Sequence, residues 1–461
     1  MLPATWVRVE VRTQARPPGM TAISADQPSA GQRPWQVTWT PTFILFLAYL
    51  FTIVTGRLPV GTVVMVLALC SLLVQRTTLR IPPFLWLFVA WTMWALVGYA
   101  MTLYPEPVEQ ALIEHGKVFL VALVAVNALR TGTQIRFFIM FVLLSYILFP
   151  ARSTLVNYLH GYTLFGRAVG PFIYGNPNDL AAHTILLLGP ALALWACASR
   201  GSPARMLGLG GAALLTVVIV LTQSRGAFLA LGAMALPSTI TLARRRPRAV
   251  VGLAACLGLA LYLAPASFWE RMQGLSKGTS VETIGEMDAE GSARQRFAVL
   301  QAATRIIRDH PGVGVGFGAY EFAQHRYNPA LGYLDTHNTY LNVLAETGVP
   351  GLALFLGIVI SVLRGVRDAR RRAGRVLPVE AEMLRWLQYA LVGYLIAGVF
   401  GSFAKLAFLY VYLALLWCAA RVVSAEGVAP SARAPRLPHP DRATTAAQRF
   451  ARWGGSLPHS G

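Results

Sequence analysis

Residues 335–363 read DTHNTYLNVLAETGVPGLALFLGIVISVL. A polar stretch gives way at Tyr340 to an apolar run, and a membrane helix needs about 20 such residues. That junction decides the fold, because the chain repeats it along most of its length. We read spans at 41–56, 58–75, 82–103, 115–130, 133–150, 178–198, 205–222, 225–243, 248–265, 340–363, 384–401 and 404–422. The reading predicts an all-α, polytopic membrane protein of about 12 transmembrane helices with one large outward loop. Composition agrees. Of 461 residues, 55% are hydrophobic and only 13% charged, where a soluble domain carries about a quarter. The domain plan is an N-terminal arm over 1–40, nine spans over 41–265, the large loop over 266–339, three spans over 340–422 and a polar tail over 423–461. The two terminal segments are expected to be poorly ordered.

The formal net charge of +20 is distributed by side. Arg76 and Arg80, Arg130 and Arg136, Arg200 and Arg205, Arg244 to Arg248, and Arg364 to Arg375 fall on alternate connections. Basic residues mark the cytoplasmic side, so both termini are expected inside and the 266–339 loop outside. Basic patches interleaved with aromatics, of the kind that stack bases, are missing, and nucleic acid is not expected as a partner. Cys70, Cys197, Cys256 and Cys418 lie in apolar runs, without metal or redox spacing. Asp and Glu total only 20 and form no metal motif, so neither metal nor cofactor is expected. The span count also fits a transporter. The scarcity of mid-span ionisable residues and the lack of an internal repeat weigh against that alternative.

The outward connections hold the residues that ask for chemistry. His337 stands at the lip of a span and titrates near neutral pH; Asp335 is placed to orient it and Asn338 to hold a hydroxyl. A helix-entry histidine also serves as a backbone hydrogen-bonding group, and both readings stand. Arg225, followed by Gly226 in LTQSRGAFLA, occupies a tight turn between apolar runs. It is either an interfacial arginine reaching for headgroups or a guanidinium open to an anion. Phe297, Leu300, Ile306 and Ile307 recur at near-helical spacing before Pro311, which predicts an amphipathic surface helix with Arg294 and Arg296 at its start. The Gly312–Gly318 run follows no strand and has no lysine, so it reads as a flexible or tightly turned connector. Asn178 and Asp179 enter a span where they cap the helix or shape a cavity wall.

The segments GNPNDLA at 175–181, TQSRGA at 222–227, RFAVLQAATRIIRDHPGVGVGFGAYEF from 296 and HNTYLNVLAETG at 337–348 resemble the bacterial O-antigen ligase and polymerase superfamily. The resemblance covers about 160 to 360 and the overall span number. It implies a GT-C-like inner-membrane glycosyltransferase that works on the periplasmic face without metal or nucleotide. The donor would be a glycan on undecaprenyl diphosphate, and a ligase would pass it to lipid A–core. Polymerases of the superfamily extend the repeat unit instead. The single large outward loop favours a ligase, with a polymerase as the alternative. The matching positions are Arg225, His337 and one loop arginine. The family places tryptophan four residues after that arginine; Leu300 stands there, so Arg294 and Arg296 both remain. The implied roles are diphosphate binding for the arginines and general-base work for His337, with inversion at the sugar.

Overall fold

The computed structural model describes residues 36–56, 58–75, 78–245, 269, 292–374 and 376–432. The expected span over 248–265 and the first part of the large loop therefore lie outside the described residues, as do most of both terminal segments.

Among the described residues the architecture is all-helical apart from one two-stranded hairpin. In order run α1 (Pro41–Thr55), α2 (Gly61–Val74), α3 (Pro83–Met101), α4 (Pro105–Ala128) and α5 (Gly132–Tyr146). A π-helical turn (Ile147–Ala151) then leads into α6 (Arg152–Leu159), followed by β1 (Thr163–Leu164), β2 (Arg167–Ala168) and a 3-10 turn (Phe172–Tyr174). Next come α7 (Pro177–Cys197), α8 (Pro203–Leu221), α9 (Arg225–Arg245), α10 (Ser292–Asp309), α11 (Tyr320–Tyr327), α12 (Thr339–Ala373), α13 (Pro378–Ala397) and α14 (Ala407–Ala432). Proline opens α1, α3, α4, α7, α8 and α13, where its missing N–H costs nothing. Side chains of Thr40, Thr131, Asn176, Ser202 and Asn338 cap the helices that follow them.

Seven helices among the described residues are long and apolar enough to cross a membrane, and α1, α2 and the first part of α9 are apolar but shorter. Their outer faces stay apolar: Leu73, Val74, Trp86 and Met101 are exposed. In water such a surface would be an interaction patch; around spans of this length it is the lipid-facing surface. Helices α7, α8, α9 and α13 pack as one group, and α3, α4, α12 and α14 as another, with α13 touching both α12 and α14.

Connections expected on one side meet in space. At one end, the amide of Arg80 and the guanidinium of Arg130 both donate to Asn127 Oδ1, at 2.8 and 3.0 Å, and Arg136 pairs with Glu380 at 3.2 Å. At the other end lie the starts of α7, α9, α12 and α14 with the hairpin and α11.

Several expected boundaries shift. The acidic stretch before 115, read as a connection, is the first part of α4, which starts at Pro105. Residues 151–177, also read as a connection, hold α6, the hairpin and the 3-10 turn. Helix α14 continues to Ala432, into the stretch read as a disordered tail. In each case polar residues prolong a helix or fold locally, because backbone hydrogen bonding does not stop where apolarity does. The loop helix is present as α10, but its buried face is Val299, Ala302, Ala303 and Ile306, while Leu300 is exposed. That face packs on α11 and α12, so protein covers it.

Helix α12 is broken at Gly348 (φ 65°, ψ −172°), just before Pro350. Proline has no N–H to offer Glu346, and the break turns the amide of Val349 away to the carbonyl of Pro311 at 2.9 Å. The glycine-rich segment repairs the break. Val315 N–H donates to the carbonyl of Ala345 and Gly316 N–H to that of Glu346, both at 3.0 Å. Trp94 Nε1 donates to the carbonyl of Thr347 at 2.8 Å. A Cβ on Gly348 would fall 1.8 Å from Gly312 O, so glycine is required there for both conformation and space. The Gly312–Gly318 run is thus the tightly turned form of the expected connector, pinned across a kink.

Candidate functional site

The site is built around the connection between α13 and α14, residues 398–406. Two separate stretches of chain are tied to it. Thr339, the first residue of α12, donates its N–H to Gly398 O (2.7 Å) and its hydroxyl to Gly401 O (2.6 Å), and accepts from Phe403 N–H (2.9 Å). Thr336 Oγ1 lies 3.0 Å from Ser402 Oγ. Phe400 covers Gly226, where an added Cβ would lie 2.7 Å from its ring. Arg225–Gly226 and Thr336–Thr339, more than 100 residues apart in sequence, therefore border the same connection.

His337 is half-buried and adopts the left-handed backbone region, at φ 50°. For a residue with a Cβ this costs free energy and persists only where the surroundings enforce it. Here they do. On one side the Thr336 hydroxyl accepts from Asn338 N–H at 3.2 Å. On the other, Asn338 Oδ1 accepts from Tyr340 N–H and Leu341 N–H, at 3.0 and 3.1 Å. Asn338 thus uses its carbonyl oxygen as a helix cap rather than toward a substrate. One oxygen of Asp335 accepts from Thr336 N–H at 2.8 Å and from Asn342 Nδ2 at 3.1 Å, which fixes the loop that presents His337. Gln223, two residues before Arg225, has the same left-handed backbone, also at φ 50°. Both candidate side chains thus follow or occupy a sharp turn that leads into a helix.

Arg225 is the first residue of α9 and is half-buried. Arg294 and Arg296 belong to the first turns of α10, and their side chains lie outside the described residues. Asn178 has a definite partner that the sequence reading did not contain. Arg167, on β2, donates from Nη2 to Asn178 Oδ1 (2.7 Å) and from Nε to Thr222 O (2.8 Å). It thereby ties the start of α7 to the end of α8, three residues before Arg225. The helix cap of α7 is Asn176.

A second unread feature is an ion pair. Lys405 Nζ lies 2.6 Å from Glu346 Oε1 and 5.2 Å from the ring centroid of Phe317. Its signal in the sequence was a single lysine and a single glutamate inside apolar stretches, where an ionisable residue is costly and has a reason. Charges gather around it. Burial chiefly, and then the Asp335 carboxylate, raise Glu321 above the usual carboxylate range, while Lys405 pulls the other way and Glu346 adds to the rise. Burial and the charges of Asp335 and Glu346 also raise the Tyr320 phenol. Asp179 interacts electrostatically with Asp335. The scarcity of acids in the composition concealed that they collect here. Among the described residues no three His, Cys, Asp or Glu side chains form a metal-binding group.

Residues 210–356 match the family described as O-antigen ligase. The matched stretch runs from α8 into α12, and holds Arg225, α10, the glycine-rich segment, His337 and Glu346 but not Lys405. No curated protein matches the chain. The turn arginine, the glycine strip and the His–Asn helix entry, which border one connection, agree with that match, and the matched third of the chain supports the O-antigen ligase and polymerase superfamily of membrane enzymes.

Proposed function

We propose that this protein transfers a glycan from undecaprenyl diphosphate to a hydroxyl of lipid A–core at the periplasmic face of the inner membrane, and so acts as an O-antigen ligase. The observation that carries the reading is the shared docking of Arg225–Gly226 and Thr336–Thr339 on the 398–403 stretch. It brings a guanidinium-bearing turn and an imidazole-bearing turn to one end of the bundle. In this reading the leaving group is a diphosphate, and Arg225 with Arg294 or Arg296 stabilises its charge through forked, charge-assisted hydrogen bonds. His337 takes the proton of the acceptor hydroxyl as that oxygen attacks the anomeric carbon, and the sugar inverts. The diphosphate leaves with the electron pair of the broken bond. Asp335, Thr336 and Asn338 hold the loop that presents the imidazole.

The test is reconstitution of the full chain with a lipid-diphosphate glycan and purified lipid A–core, with mass analysis of the products. Growth of lipid A–core by one glycan block is expected. Transfer to a second lipid-linked block instead would assign a polymerase. His337→Ala should lower transfer by about 10²–10⁴-fold while a lipid-diphosphate still binds. Undiminished transfer in that variant would remove His337 from the role of base.

A further inference from the structure

The depth of the Glu346–Lys405 pair can be read from the helices around it. Helix α3 ends at Met101, and the next residue, Thr102, donates its hydroxyl to Val315 O at 2.6 Å. Val315 in turn donates its amide to Ala345 O. Glu346 is therefore level with the place where a membrane-length helix ends. A polyprenyl diphosphate places its phosphates at that level, with its chain among the lipid tails and its sugar outside.

At this level Glu346 is only 2% exposed, while Lys405 is 36% exposed. The carboxylate is sealed behind the ammonium, which keeps an open face. Lys405 holds one hydrogen bond to Glu346 Oε1 and lies over Phe317. An ammonium carries three donors. Lys405 also belongs to the connection that Thr336 and Thr339 grip through Ser402 and Phe403.

We propose that Lys405 is a further diphosphate-contacting cation of this enzyme, oriented by Glu346 and Phe317. The assignment rests on the glycosyl-transfer reading and adds to it a residue outside the segment matched by the family. Lysine serves phosphate as a point charge, and its hydrogen bonds to ionised oxygens are stronger than neutral ones.

The experiment uses the purified full chain in micelles, with farnesyl diphosphate as the probe and binding as the readout. Lys405→Met alone strands a buried carboxylate, since Glu346 Oε2 has no partner among the described residues. The informative variant is therefore the doubly neutral Glu346→Gln/Lys405→Met. Its affinity for farnesyl diphosphate is expected to fall by about tenfold, as for loss of a hydrogen bond to a charged group. Lys405→Arg, which keeps the charge, is expected to bind close to wild type. Equal binding by wild type and the double variant would overturn the inference and leave the pair as a brace. A loss in Lys405→Arg as large as in the double variant would overturn the argument from charge. Absence of any binding by the wild type would overturn the glycosyl-transfer reading along with it.

Discussion

Arg225 and Gly226 divide two tasks between adjacent positions. Gly226 lets the start of α9 lie against Phe400, and Arg225 opens the helix at the adjacent position. If the guanidinium only reaches for headgroups, its loss is neutral for turnover. If it forks onto a diphosphate, geometry counts as well as charge, and lysine cannot replace it. Arg225→Ala is therefore expected to reduce kcat/KM for the lipid-linked donor by about ten- to a hundredfold, as for a lost charge-assisted hydrogen bond. Arg225→Lys should recover only part of it. Steady-state turnover with donor varied at saturating acceptor checks this, and unchanged kcat/KM in Arg225→Ala would return the residue to an interfacial role. At this scale the sequence was readable where a residue type is costly in its setting, as for Arg225 at a turn between apolar runs or His337 at a span entry. Arg167 carried no such signal. It sits in the 151–177 stretch that reads as a connection, where an arginine costs little, and its importance comes from joining Asn178 to Thr222 across 43 residues of intervening chain. The left-handed backbone of His337 was equally unreadable, since it is imposed by Thr336, Ser402 and the cap at Asn338.

The kink in α12 and the glycine strip form one element made from two parts of the chain. Each supplies what the other lacks: the broken helix leaves carbonyls at 345–347 open, and the strip and Trp94 bring the N–H groups that fill them. A buried carbonyl left without a partner costs about 1–3 kcal/mol. Gly348→Ala attacks this directly, because its Cβ overlaps Gly312 O and its backbone is left-handed. We expect it to destabilise the protein by at least about 3 kcal/mol, combining strain and lost hydrogen bonds. Gly365→Ala, in the same helix with nothing within 4 Å of the added Cβ, should be neutral or stabilising by up to about 1 kcal/mol. Thermal unfolding in micelles compares the two, and equal melting temperatures would remove the strip from its bracing role. Elements of this kind explain which parts of the fold were readable. Apolar runs announce helices, and each span read within the described residues contains a helix over most of its length. Helix ends were less readable: α4 starts ten residues before the 115–130 reading, and α6 grows from a π-helical turn. Hydropathy reports where lipid contact ends, whereas a helix ends where its capping and backbone partners end.

The whole molecule has two chemically different ends. One gathers Arg80, Arg130, Arg136, Arg205, Arg364, Arg367, Arg370, Arg371, Arg372, Arg385 and Arg421 around the starts or finishes of α3, α5, α8, α12, α13 and α14. The other carries His337, Arg225, the hairpin, α10 and α11. Positive charge near helix ends is retained in the cytoplasm during insertion. The first end should therefore face the cytoplasm and the site should face outward, as the proposed reaction on exported glycan requires. Single cysteines in a cysteine-free background test this. Ser199→Cys lies at the arginine-rich end, between α7 and α8, and Ala330→Cys lies in the 3-10 turn after α11; both positions are exposed. A membrane-impermeant maleimide applied to spheroplasts should modify Ala330→Cys within minutes and reach Ser199→Cys only after lysis. The opposite pattern would put the imidazole on the cytoplasmic side, away from any exported acceptor. Labelling of both before lysis would mean that the two ends are not separated by the bilayer at all, and the bundle would need a different account of its exposed apolar faces.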